Sequence, residues 1–317
     1  MLNSLRPLTG FKYQLKTLTR AMSTEPQVHP TSLNSFDSNH ALYDKVRPEF
    51  SPEIVASFFK ELSLETPYDG SKGQKLLELA VGTGKFTKQI VARGWGAPEN
   101  LTAVEPSSGM LESFRKNFPN IDAREGSSYE LPVEDSAYDA VIVSQGYHWF
   151  ADHNSLKEIY RVLKPGGKLG FIWNFDMIDL GFNKNLQDPK QQLGISDEEI
   201  EIAKGWGQTA LDAHAYDGDV PQYRKAEWRK SFENQSWFDK NNAVDFFKYS
   251  FLPFEKELIY DYWLSRSYIT SLPDSEKAVF KKKIDEDIAA LKPEQHFDDG
   301  KVKQFLGTHY FVIQSTK

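Results

Sequence analysis

From residue 75 onward the chain alternates short apolar runs with segments whose apolar residues recur at helical spacing, a pattern that predicts strands joined by crossover helices. The runs KLLELA (75–80), LTAVE (101–105), NIDAREG (120–126), YDAVIVSQ (138–145) and KLGFIW (168–173) read as strands. Between them, KFTKQIVARGW (85–95) and SGMLESFRKNF (108–118) read as helices. A further helix places Leu156, Ile159, Tyr160 and Leu163 on one face and stops at Lys164-Pro165-Gly166-Gly167. Such repetition is expected of a doubly wound parallel sheet covered on both faces, so the predicted class is α/β. After Asn174 the alternation lapses. Residues 176–235 carry Trp206, Tyr216, Tyr223 and Trp228 among polar stretches and are expected to form an insertion built on aromatic contacts. Helical spacing returns around 255–290, and GTHYFVIQ (307–314) reads as a closing strand.

The N-terminal pattern is different. Leu2, Leu5, Leu8, Phe11, Leu15, Leu18 and Met22 recur at helical spacing among Arg6, Lys12, Lys16 and Arg20, with no acid in the first 24 residues. Mitochondrial targeting segments have this basic amphipathic character, although Pro7 and Gly10 interrupt a helix. The predicted organisation is a basic amphipathic or disordered segment (1–30), an α/β domain (31–175), and a region of insertion, helices and closing strands that completes the fold (176–317). The expected location is the cytoplasm, with the mitochondrial matrix as the alternative.

Composition narrows the chemistry. The formal net charge of −7 disfavours a nonspecific nucleic-acid binder, which needs a cationic footprint. With no cysteine there is no thiolate nucleophile and no cysteine-held metal. His148 and His153 flank Asp152 without a metal-binding spacing, so no metal is expected. No apolar run approaches the roughly 18–20 residues that cross a bilayer.

The segment Glu78-Leu79-Ala80-Val81-Gly82-Thr83-Gly84-Lys85 falls where the first strand turns into the first helix, the edge at which open α/β sheets bind ligands. Gly82 and Gly84 permit a tight turn and close backbone approach. A dinucleotide fingerprint would continue to a third glycine, where Thr87 stands. Glu105, at the end of the second strand, suits a pair of ribose hydroxyls, since a carboxylate offers two accepting oxygens.

This ensemble resembles the class I S-adenosylmethionine-dependent methyltransferases of the type 11 group, in which an acid and alternating glycines follow the first strand; Ala80 replaces the first glycine here. The resemblance implies a Rossmann-like sheet with an inserted, partly helical acceptor-binding region, and S-adenosylmethionine as cofactor. It places Glu78, Ala80, Gly82 and Gly84 beside the methionine portion and ribose, Glu105 on the ribose, and Ser127 and Ser128 of GSSYELP (126–132) near adenine. Two more segments, YDKVRPEF (43–50) and QGYHWF (145–150), are similar to those of the fungal trans-aconitate and cantharidin small-molecule methyltransferases. Gln145 thereby joins the cofactor-binding set. A carboxylate acceptor needs alignment and no base. A phenol or amine would gain from one, and His148 has a side chain of suitable intrinsic titration, with Trp149 offering an aromatic face to a cation. Arg47, Arg224, Arg229 and Arg266 are the cations available for an acidic acceptor, Arg47 and Arg266 being favoured because they fall in the 43–50 segment and in SRSYI (265–269), which belongs to the same resemblance. The alternatives are a protein or RNA methyltransferase, a nicotinamide oxidoreductase, and a non-catalytic cofactor-binding scaffold.

Overall fold

The computed structural model describes residue 42 and residues 45–178 and 182–317. The basic segment 1–30, together with Tyr43 and Asp44 of the 43–50 segment, lies outside the described residues.

The predicted strands form at β1 (Leu76–Leu79), β2 (Leu101–Glu105), β3 (Asp122–Glu125), β4 (Tyr138–Ser144) and β5 (Leu163–Phe175), all parallel. Two further strands, β6 (Val244–Phe254) and β7 (Val302–Gln314), complete a seven-stranded sheet of order β3-β2-β1-β4-β5-β7-β6. β7 runs antiparallel to both neighbours, with Ile172 opposite Tyr310 and Phe247 opposite His309. Alternation within a strand decides which layer each residue enters. In β4, Ala140 and Ile142 join Val55, Phe58 and Phe114 under one face, while Val141 and Val143 join Leu156, Ile159 and Trp173 on the other.

Helix α1 (Pro52–Glu61) precedes the sheet and is not among the expected elements. Its Val55, Phe58 and Phe59 are buried against the sheet. Helix α2 (Thr87–Val91) is shorter than the predicted 85–95, because Gly94, at φ +87°, takes the chain out of helical geometry. Helix α3 (Ser108–Asn117) is capped by Ser107, which accepts from the Met110 N–H. Helix α4 (His153–Val162) ends one residue before Leu163, which its apolar spacing would include. Leu163 instead starts β5 opposite Tyr138, and the pairing shifts register before Ala140 meets Lys168.

The 176–235 region is largely helical where described: α5 (Pro189–Leu193) leads into the long α6 (Asp197–His214), which opens with a capping box between Ser196 and Glu199. Trp206, Ala210 and Ala213 bury one side of α6. Helices α7 (Ile259–Leu264), α8 (Ser267–Thr270) and α9 (Asp274–Ala289) fall within the predicted 255–290 stretch. Among the described residues no helix is long and apolar enough to cross a membrane, and no group of three metal-ligating side chains occurs.

Candidate active site

The strand order reverses between β1 and β4, and at such a switch point the two following loops diverge and leave a crevice at the carboxyl edge. A cavity opens there. Its wall takes Glu78 to Gly82 from the β1 end, Glu105 from β2, Gly126 to Tyr129 beyond β3, Ser144 to Gly146 from the β4 end, and Asn174 to Met177 from the β5 end. The far wall comes from the C-terminal half, including His214, Tyr223, Arg224, Tyr262, Arg266 and Tyr268.

At the β1 end the backbone turns through three left-handed residues, Ala80 (φ +53°), Gly82 (φ +58°) and Gly84 (φ +91°). Ala80 therefore holds the conformation that a glycine would adopt without strain, so the replacement of the first glycine carries a backbone cost. A Cβ on Gly84 would lie 2.2 Å from the Phe118 ring, which makes glycine a packing requirement there. Gly82 donates its N–H to Glu105 Oε2 at 2.9 Å, and Ser107 donates to Oε1 at 3.0 Å. These bonds tie the β2 carboxylate to the turn while leaving each oxygen further accepting capacity. Burial raises the Glu105 carboxyl above its usual range, and the bonds from Ser107 and Gly82 oppose the rise.

Glu78 is almost wholly buried, and burial pushes its ionisation from 4.5 up to about 8, against the bond that Thr87 Oγ1 donates to its Oε2 at 2.7 Å. Thr87, which stands where a dinucleotide site would have its third glycine, thus fixes the rotamer of the acid at the end of β1. Sequence spacing gives no sign of this pair.

Beyond β3, Ser127 and Ser128 lie on the wall, with Ser127 Oγ accepting from the Tyr129 N–H at 3.3 Å. Gln145 sits at the β4 end in left-handed geometry (φ +59°) and lines the same cavity. The following turn is anchored by Tyr147, whose ring stacks on Phe171 at 3.9 Å and whose hydroxyl pairs with Ser231 at 2.8 Å. That anchor presents His148 and Trp149 to the cavity. The expectation that His148 titrates near neutrality is corrected: burial, reinforced by the Arg266 charge, takes it down to about 3, so the imidazole is neutral at physiological pH.

Arg47 and Arg266 meet across the cavity although 219 positions separate them in the numbering. Arg47 Nε donates to Ser265 Oγ at 2.8 Å and its guanidinium lies 4.7 Å from the Tyr262 ring centre. Arg266 pairs with the buried Asp176, which also accepts from Tyr262 and from Trp206 Nε1. Arg224 lines the wall too, paired with Asp217. Arg229 is turned away from the cavity and bonded to Asp245 at 2.8 Å. Asp176 and Thr87 are the site residues that sequence reasoning missed; a carboxylate at the end of the fifth strand, near the 255–290 helices only in space, has no local signature.

A mixed seven-stranded sheet with this order, a left-handed glycine turn bonded to an acid one strand away, and a cavity spanning both define a class I methyltransferase architecture. Residues 77–171 match the methyltransferase domain family. An uncharacterized methyltransferase-like protein of Schizosaccharomyces pombe is 31% identical over 278 residues, covering 85% of this chain and 92% of the relative. A second S. pombe methyltransferase is 41% identical over 182 residues, 56% of this chain and 69% of its own length. Among solved structures, one described as a putative methyltransferase from Bacillus halodurans aligns over 83% of this chain and 99% of its own at 16% identity and a TM-score of 0.49. The chain belongs to the methyltransferase family, as an S-adenosylmethionine-dependent enzyme.

Proposed function

We propose that this enzyme methylates a small-molecule acceptor bearing a carboxylate, with the cofactor held at the β1–β2 side of the cavity and the acceptor at the far wall. The residues on the cofactor side fit an adenosine-containing sulfonium. Glu105 would take the ribose hydroxyls, Glu78 and the Ala80–Gly84 turn the methionine portion, and Ser127 and Ser128 the adenine side, with Gln145 completing the cofactor-binding set. When bound, S-adenosylmethionine supplies an electrophilic methyl group. What the chain itself must do is align the acceptor and exclude water.

The observation that carries the acceptor reading is the electrostatic character of the far wall. After burial, the influences that depress His214 are all cationic: Arg266, Arg224, Arg47 and Lys225. His148 is likewise depressed by Arg266. Burial is the first cause of both neutral imidazoles, and the arginines that add to it line this wall; arginine recognises carboxylate through paired donors. A neutral His148 is also a weak base, which suits an acceptor oxygen that needs no deprotonation. The similarity of the 43–50 and 145–150 segments to fungal small-molecule methyltransferases supports the same reading.

The test is transfer of labelled methyl from S-adenosylmethionine to a panel of small carboxylic acids. An ester product releases its label as methanol in mild alkali; a uniformly alkali-stable product contradicts the reading. Alanine at Arg266 is a poor probe, because it strands the buried Asp176. Arg47→Met keeps an unbranched apolar stem without the charge and is expected to raise KM for the acid about 10-fold, the worth of one charge-assisted bond. Affinity for S-adenosylhomocysteine should stay within about 2-fold, a change too small to represent a lost bond. Equal loss of both would assign Arg47 to the cofactor.

A further inference from the structure

A chain of polar side chains runs inward from Asp245, exposed at the sheet edge, to the buried His309 and Tyr223. Asp245, on β6, accepts from Arg229 and pairs with Nε2 of His309 on β7. Nδ1 of His309 lies 2.8 Å from the Tyr223 hydroxyl, and Tyr223 lines the cavity beside Gln222 and Arg224. His309 is fully buried, stacked 4.1 Å from Phe247 and 5.6 Å from Trp173, so its ring is held in one plane.

The direction of every bond in this chain follows from its outer end. Burial opposes ionisation of Asp245, but His309 and Arg229 outweigh it and hold the carboxyl below the usual carboxylate range. An ionised carboxylate only accepts, so His309 Nε2 carries the proton. Burial lowers His309, which is therefore neutral and has Nδ1 as an acceptor. Tyr223, kept protonated by burial, must donate to it. Its oxygen is left with accepting capacity alone.

We infer that Tyr223 is a specificity-determining residue that accepts a hydrogen bond from a donor group on the acceptor molecule, with His309 and Asp245 as positioning residues that fix its polarity. Resting on the carboxylate reading above, this narrows the acceptor class to acids that also carry a hydroxyl or comparable donor. A phenol free to rotate could serve either donors or acceptors; this one cannot.

The test uses S-adenosylhomocysteine-loaded full-length protein and isothermal titration with hydroxy acids (malate, 3-hydroxyglutarate) and their deoxy counterparts (succinate, glutarate). At least one hydroxy acid is expected to bind about 10-fold more tightly than its counterpart, the worth of one good hydrogen bond. Tyr223→Phe should erase that ratio while leaving the deoxy acid's affinity unchanged. Asp245→Asn permits the opposite His309 tautomer, and should move the ratio toward unity with Tyr223 intact. A purely structural network would lower the melting temperature of both variants and leave the ratio as in wild type, which would overturn the inference. Equal binding of both members of each pair to wild type would overturn it as well. If neither member of any pair binds, the carboxylate reading falls and takes this inference with it.

Discussion

Glu78→Gln is expected to make the protein more stable above neutral pH and at the same time a much poorer cofactor binder. In the folded chain the Glu78 ionisation is raised from 4.5 to about 8 by burial. Between those values the folded state holds a proton that the unfolded state has lost, so the stability contributed by Glu78 is complete below 4.5 and declines as pH rises through 8. The amide has no such proton to lose and still accepts from Thr87 Oγ1. The variant's advantage should therefore be negligible near pH 4, grow through neutrality, and level off above pH 8 at about 2 kcal/mol or more, given ~1.4 kcal/mol for each unit of a retained shift. Denaturant titrations at three pH values measure it. Cofactor affinity should move the other way. A carboxylate beside the methionine portion would pair with its ammonium, so binding to wild type should strengthen as pH rises from 6 to 8 and release a proton. The variant should show neither effect and bind about 10- to 100-fold more weakly, the range for loss of one charged hydrogen bond. A stability advantage independent of pH would show that Glu78 is ionised in the fold throughout.

Gly84→Val is expected to damage fold and site together. The residue adopts φ +91°, a conformation that β-branched side chains avoid, and a Cβ would meet Phe118 at 2.2 Å and Phe114 at 3.1 Å. Backbone strain and overpacking together should cost roughly 3 kcal/mol or more. The Phe114 and Phe118 rings, 5.1 Å apart, close one end of α3 against the turn, so displacing them should also open the turn and lower cofactor affinity. A variant that melts as wild type does would show that the turn relaxes freely.

Much of the fold is legible in the sequence because burial in a parallel sheet leaves a contiguous apolar record. The apolar runs match β2 to the residue, and β1 and β4 to within one or two at each end, since every residue of Leu76–Leu79 and Leu101–Glu105 is buried. β6 escapes detection for the converse reason. Phe246 stacks on Tyr310 and Phe247 on His309, on opposite faces, so aromatic side chains fill both and the alternation disappears. Helix α6 does carry a local signal, the Ser196-x-x-Glu199 capping box, but Gly205 and Gly207 lower its helical propensity, and Gly205 is set against Gln295, where a Cβ would lie 2.5 Å from the side chain. At the site, the motif residues are readable because they are consecutive. The Arg266–Asp176 pair and the Tyr223–His309–Asp245 chain join positions 64 to 90 residues apart and leave no periodic trace. His148 is visible as a residue but not as a state: only its burial beside Arg266 shows that it stays neutral.

The central claim is that the Glu105-anchored turn forms an adenosine site, and isothermal titration with S-adenosylmethionine and S-adenosylhomocysteine, comparing wild type with Glu105→Ala, tests it most directly. Micromolar binding to wild type, weakened about 100-fold or more by the substitution in protein that still melts cooperatively, is the predicted result, since two ribose hydroxyls would lose a charged acceptor. Absence of binding to wild type, or affinity that survives the loss of Glu105, would contradict it.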